Sequence, residues 1–167
     1  MEIRRAQPAD WPSIWPFFQR IVAARETYAY DPEIDTRSAE RLWMRLDPPA
    51  QTVVAIDETD PAEPIIGTAS MYPNREGPGA HIASASFMVD PDRHGNGAGR
   101  ALGEHMIDWA KREGFCGIQF NAVVETKTAA VRRWQSLGFR IIGTVPGAFR
   151  SPQHGYVGLH VMYREVG

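Results

Sequence analysis

The chain is poor in cysteine, with one residue, Cys116, among 167. No internal disulfide can form, which fits a reducing compartment. At this length the chain can bury a core without disulfides or a structural metal. Long hydrophobic runs are missing too. None approaches the ~20 apolar residues that span a bilayer. The first residues, MEIRRAQPADW, hold no apolar stretch of the signal-peptide kind. The expectation is a cytoplasmic protein with no membrane partner. Charge of one sign is also scarce. The net charge is -2 and no Lys/Arg tract occurs, which argues against broad electrostatic capture of nucleic acid. Metal-ligand spacings such as H-E-x-x-H are absent, so no metal is expected. Repeats, low-complexity stretches and linker-like segments are absent, so residues 1–167 read as a single domain.

What is present alternates between strand and helix patterns. Glu2 to Arg5 reads as a strand. Asp10 offers an N-cap and Pro12 suits a first helical turn. Trp11, Ile14, Trp15, Phe18, Ile21 and Val22 then recur at helical spacing, and Pro16 either kinks this helix or marks its start. The loop RETYAYDPEID follows. A second helix is expected over Thr36 to Leu46, stopped by Asp47-Pro48-Pro49. Strands are expected at Thr52 to Ile56, Ile65 to Tyr72 and His81 to Val89, with an acidic turn over 57–64. A long helix is expected from Gly99 to Glu113, with Lys111 and Arg112 in its last turn and Gly114 as its stop. A strand over Phe115 to Asn121, a helix over Thr128 to Ser136, and strands over Phe139 to Val145 and Tyr156 to Tyr163 complete the pattern. The order predicts an α/β or α+β fold with a mixed sheet. Its three successive middle strands should pair antiparallel.

The most distinctive stretch is PDRHGNGAGRALGEHM, residues 91–106. Gly95, Gly97 and Gly99 stand at alternate positions directly before the long helix. A helix N-terminus presents unpaired N–H groups and partial positive charge. Glycines there permit positive φ and remove the Cβ atoms that keep an anion away. Three of them exceed what a tight turn needs and favour a phosphate cradle. His94, Arg93 and Arg100 can add positive charge or donors. The Lys-Ser/Thr ending of a Walker loop is missing, and the spacing is not G-x-G-x-x-G.

FMVDPDRHGNGAGRAL resembles the acetyl-CoA motif of the GNAT superfamily of N-acetyltransferases. His94 takes the place of the usual Gln or Arg. A second stretch, NAVVETKTAAVRRWQSLGF, is similar to the family's downstream motif. There Lys127 stands where many relatives have an Asn, and Trp134 stands where a Tyr is frequent. Trp134 cannot protonate a leaving thiolate, because an indole N–H is only a hydrogen-bond donor.

The resemblance implies a mostly antiparallel sheet, splayed between the strand before the glycine turn and its parallel neighbour. It implies acetyl-CoA as co-substrate. Its contacts would be Phe87, Met88, Val89, His94, Gly95, Asn96, Gly97, Ala98, Gly99, Arg100, Lys127 and Trp134. The backbone of Phe87, Met88 and Val89 would face the pantetheine, and the Val89 N–H would polarise the thioester carbonyl. Direct attack by the amine makes Cys116 unnecessary as a nucleophile, so it reads as a buried structural thiol.

The base is open between Glu26, Glu125 and a water chain held by Ser84, Ser86 and Asn121. Glu26 reads equally as a solvated loop residue, and the two serines as locally satisfied. Asn121 is a candidate both for catalysis and for acceptor contact. Tyr28 and Tyr30 either wall the acceptor site or pack on the sheet edge. Similarity to the subgroups that acetylate proline analogues and phosphinothricin points to a small amine or amino acid as acceptor. A homodimer is expected on the same ground. The competing reading is an acyl-CoA-binding sensor that has lost catalysis.

Overall fold

The computed structural model describes residues 1–62 and 64–167; of the acidic turn expected over 57–64, Glu63 lies outside the described residues. Among the described residues there are seven strands: β1 (Glu2–Arg5), β2 (Gln51–Ile56), β3 (Ile65–Pro73), β4 (Ile82–Val89), β5 (Gly117–Val124), β6 (Arg140–Ser151) and β7 (Gly155–Glu165). The helices are α1 (Trp11–Ala23), α2 (Thr36–Trp43), α3 (Ala98–Arg112) and α4 (Thr128–Ser136). The sheet order is β1-β2-β3-β4-β5-β7-β6. Every neighbouring pair is antiparallel except β4–β5.

The sheet is covered on both faces, which explains why its middle strands are buried at successive positions. Period two divides the side chains. Val53, Ala69, Met71, Ala83 and Ile118 pack with α3 and α4 around Leu102, Met106, Trp109 and Trp134. Val54 and Met88 pack on the other face against Ile14, Phe18 and Trp43 of α1 and α2.

Several local expectations differ in detail. Asp10 stands at the N-cap position, but its carboxylate makes no bond into α1. It accepts from both Arg4 guanidinium nitrogens at 2.8 Å and from Gln7 N at 2.7 Å, so it fixes the preceding turn. Pro16 lies inside α1 and does not start it. Helix α2 stops at Trp43, because Arg45 N donates to Thr52 Oγ1 at 2.8 Å and Thr52 N to Arg45 O at 2.9 Å. Strand β6 runs on through Pro146 and Gly147, with a register shift between Val145 and Phe149. As an edge strand it tolerates the missing N–H of Pro146. Cys116 is exposed rather than buried. Its peptide joins the sheet end instead: its N–H donates to His81 O and its carbonyl accepts from Val166 N.

The feature that positions the site is the gap between β4 and β5. They pair only at Ile82–Gly117 and Ala83–Ile118 and then part. β5 stays with β7, and its register with β7 shifts between Phe120 and Val123. On the α3/α4 side of the gap, Trp134 lies with its ring centroid 4.7 Å from Phe87 and 4.8 Å from Phe120.

Candidate active site

A cleft of about 630 Å³ runs through the gap. Residues from both faces of the sheet line it. Phe87, Phe120 and Trp134 belong to the α3/α4 side, and Tyr28 and Tyr30 pack with the α1/α2 core. The glycine turn closes one end. A ligand lying along β4 is therefore reachable from both faces.

The register of β4 decides which peptide groups face the gap. Asp90 N donates to Ile66 O, and Asn74 N donates to Ile82 O. Even-numbered positions of β4 thus turn their peptides to β3, and odd-numbered ones turn theirs to the gap. Phe87 and Val89 line the cleft. Met88 departs from the expectation. Its position pairs with Thr68 of β3 and its side chain is buried in the α1/α2 core, so it has no group to offer a ligand.

The Phe87 edge is already engaged. Its N–H donates to the Tyr28 phenol oxygen at 2.9 Å, and the same hydroxyl donates to the Phe87 carbonyl. Burial pushes the Tyr28 phenol well above its ordinary pKa. Tyr30 stacks on Tyr28 at 5.1 Å and is shifted upward for the same reason, with the Ser86 hydroxyl opposing. Both phenols are neutral around pH 7.

At the glycine turn, acids that would repel an anion are paired. Arg20 of α1 holds Asp90 and Asp92, each at 2.6 Å. Arg93 holds Asp57 and Asp60, each at 3.0 Å, so its charge is shared with acids of the β2–β3 turn. The Asp57 carboxyl is held at about 2, by Thr59 first and then by Arg93. Gly95 and Gly97 have φ of +90° and +80°, and a Cβ at either would meet nothing within 4 Å. These glycines are required by backbone conformation, and their Cα atoms face open space at the start of α3.

Gly99 serves a different purpose. A Cβ there would lie 2.6 Å from an Arg133 guanidinium nitrogen. Its absence admits Arg133 of α4 over the first turn of α3. His94 is exposed, and its ring Nδ1 bonds the Pro91 carbonyl, which fixes the proton on that nitrogen. Arg100 is held by Glu104 at 2.8 Å and touches Ser136 Oγ at 3.3 Å.

Of the residues expected from sequence, the cleft brings together Tyr28, Tyr30, Ser84, Ser86, Phe87, Val89, His94, Gly95, Gly97, Ala98, Gly99, Arg100, Asn121, Lys127 and Trp134. Asn96 is exposed beside it and Met88 is behind it. Glu26 lies off the lining. Its carboxylate accepts from Ser151 Oγ at 2.7 Å and Gln153 N at 3.3 Å, tying the α1–α2 loop to the β6–β7 turn. Glu125 accepts from Gly158 N at 2.5 Å and likewise braces β7. Among the described residues, no acid lines the cleft. Asn121 donates to Asn74 Oδ1 at 2.7 Å and accepts from Gln119 Nε2 at 2.9 Å.

The sequence reading missed Tyr72, Phe120 and Arg133, all on the cleft wall. Tyr72 and Phe120 look like any strand aromatics. Nothing in the pair Arg132-Arg133 says which one turns inward.

The residues fit an acyl-CoA. The cradle has positive-φ glycines at a helix N-terminus, Lys127 and Arg133 stand beside it, and β4 has an unpaired edge at Val89. The sequence model described as "Acetyltransferase (GNAT) family" matches residues 13–139, more than half of the chain. The N-acetyltransferase aca1 of Schizosaccharomyces pombe is 30% identical over 161 residues, covering 87% of this chain and 75% of the relative. A solved GCN5-related N-acetyltransferase from Kribbella flavida is 61% identical, with a TM-score of 0.94 over 98% of this chain and 96% of that one. A phosphinothricin acetyltransferase from Sinorhizobium meliloti, solved in complex with AcCoA, shares the fold at 23% identity. Its TM-score is 0.84, over 99% of this chain and 88% of that one. On the family match and these relatives, the chain belongs to the GNAT family of acetyltransferases.

Proposed function

We propose that the protein transfers an acetyl group from acetyl-CoA to the amine of a small molecule, an amino acid or its analogue. The observation that carries this reading is the unpaired edge of β4 leading from the glycine cradle into a cleft lined from both faces of the sheet. A thioester held along that edge from one face is open to an amine from the other, in a ternary complex. Bound acetyl-CoA supplies an activated acyl group: the amine nitrogen bonds to the carbonyl carbon, the carbon–sulfur bond breaks, and the CoA thiolate leaves to be protonated.

The chain's own residues do the rest. Glycine-turn N–H groups, Lys127 and Arg133 neutralise phosphate charge. The Val89 N–H, aimed into the gap, is the donor for the carbonyl oxygen. With no acid among the described residues of the lining, the amine proton leaves through hydroxyls and water along Ser84, Ser86, Tyr30 and Tyr72. Asn121 orients the acceptor through its amide. Trp134 packs the thiol end and supplies no proton, which a thiol with an ordinary pKa near 8.5 does not require.

Support for a small acceptor comes from the aromatic wall of Tyr28, Tyr30 and Tyr72. An exposed, unpaired Cys116 suits the cytoplasm. We assign the exposed apolar residues Ile142, Val145 and Tyr156 of the β6–β7 hairpin to a homodimer contact, checked by mass in solution. The second reading, an acyl-CoA sensor, draws on the absence of a lining acid among the described residues.

Free CoA thiol is measured with acetyl-CoA and a panel of amines and amino acids. Release that depends on the acceptor supports transfer. Tight acetyl-CoA binding with no release for any acceptor supports the sensor.

A further inference from the structure

Among the described residues, Arg45 has no ion-pair partner. Its main chain is locked to the start of β2 through Thr52. The guanidinium carbon lies 4.1 Å from the centroid of the Tyr72 ring. Nε is buried with no hydrogen-bond partner. Among the described residues no carboxylate pairs with it, whereas Arg4, Arg20 and Arg100 each hold an acid. A buried donor left unpaired is rare enough in native folds to call for an explanation.

Its surroundings supply one. Tyr72 lines the cleft, and its hydroxyl is 3.4 Å from Ser86 Oγ. Arg45 is not itself on the cleft lining; it stands against Tyr72, one tyrosine ring away from the hydroxyls of the α1/α2 face. Its charge reaches the Tyr30 phenol. An aromatic ring against one face of a guanidinium leaves the edge donors available, and that edge matches a carboxylate in two parallel hydrogen bonds.

We propose that Arg45, held over the Tyr72 ring, anchors a carboxylate of the acceptor. The acceptor is then an amino acid, or another amine with a carboxylate a few bonds away. This rests on the acetyl-transfer reading above. A polyamine meets like charge at this place. A protein N-terminus brings an amide carbonyl, which leaves the guanidinium charge unbalanced.

The test pairs acceptors that differ only in the carboxylate: alanine with ethylamine, and proline with pyrrolidine. Each is assayed with the natural chain, Arg45→Met and Arg45→Lys. Methionine keeps an apolar stem on Tyr72, and matched thermal transitions establish folding. The natural chain should favour the carboxylate partner by roughly 10- to 100-fold in kcat/KM. Arg45→Met should bring that ratio to near unity through the acceptor KM, and Arg45→Lys should restore part of it.

A calorimetric arm needs no turnover: N-acetylalanine against N-ethylacetamide, each titrated into protein with CoA. Preference for N-acetylalanine that Arg45→Met abolishes supports the site, even if no acceptor is turned over; in that case the transfer reading alone fails. No preference in the natural chain, or a preference that survives Arg45→Met, overturns the proposal.

Discussion

The two ends of the cleft are built by different means. The glycine end is made of backbone: positive φ at Gly95 and Gly97, the start of α3, and Arg20–Asp and Arg93–Asp pairs that hold the turn in place. The tyrosine end is made of side chains from three separate segments: Tyr28 and Tyr30 after α1, Tyr72 on β3, and Ser84 and Ser86 on β4, with Arg45 against the Tyr72 ring off the lining. A backbone site binds its ligand with little dependence on side-chain identity. A side-chain site can change its ligand one residue at a time. On the function proposed above, the first end takes the acyl donor and the second the acceptor.

The largest expected effect breaks the backbone end. Gly97→Val forces a β-branched residue to φ near +80° and projects a side chain into the open cradle. Strain of about 1–3 kcal/mol adds to the steric loss. Acetyl-CoA affinity, measured by calorimetry, should fall by about 100-fold or more, while the folded core persists by circular dichroism. Unchanged affinity in a folded variant would sink the cradle assignment.

This division also explains what was legible in the sequence. The order of strands and helices and the glycine turn were readable, because each depends on local periodicity or turn chemistry; the splay was expected only through the family resemblance. Gly99 was readable as a required glycine but not for its reason, since Arg133 approaches it from another helix. Glu26 looked like a base because of its place beside the tyrosines; only the fold reveals Ser151 and Gln153 on its carboxylate. Met88 was assigned to the ligand with its two neighbours because a contiguous motif hides period two. Strand register alone separates it from Phe87 and Val89. Tyr72 and Arg45 carried no signal, because their meaning comes from segments far apart in the chain.

Arg133→Met gives a smaller effect at the same end. Its guanidinium lies over Gly99 as an added charge rather than as part of the backbone cradle. Affinity for acetyl-CoA should drop about 5- to 20-fold, in line with one lost charge-assisted hydrogen bond. The loss should shrink as salt rises. An affinity equal to that of the natural chain at low salt would remove Arg133 from the phosphate site.

Tyr28→Phe tests where the two ends meet. The Tyr28 hydroxyl holds both peptide groups of Phe87 on the edge of β4. Removing it should cost about 1–2 kcal/mol of stability without ligand, from the unpaired Phe87 groups. Acetyl-CoA should bind at least as tightly as before, since the edge no longer has an internal competitor. Denaturant melts with and without acetyl-CoA separate the two effects. Weaker binding in the folded variant would make Tyr28 part of the donor site.

The smallest effect concerns α3, which carries the backbone end. His105 lies on this helix with Nε2 buried and unpartnered, and its pKa is lowered from 6.5 by burial first and then by Arg112, against Asp108. In the unfolded chain the imidazole takes its proton near its ordinary value, whereas in the folded chain it does so at lower pH. Between the two, the unfolded state binds more protons, so stability falls as pH drops through 6.5 and levels off below the folded value. His105→Leu should remove this part of the slope while leaving the acid-side loss tied to Asp57, whose depressed pKa acts between its ordinary 3.8 and about 2. Thermal melts from pH 8 to 5 measure the difference between the two chains. If both follow the same slope, His105 does not couple α3 to pH.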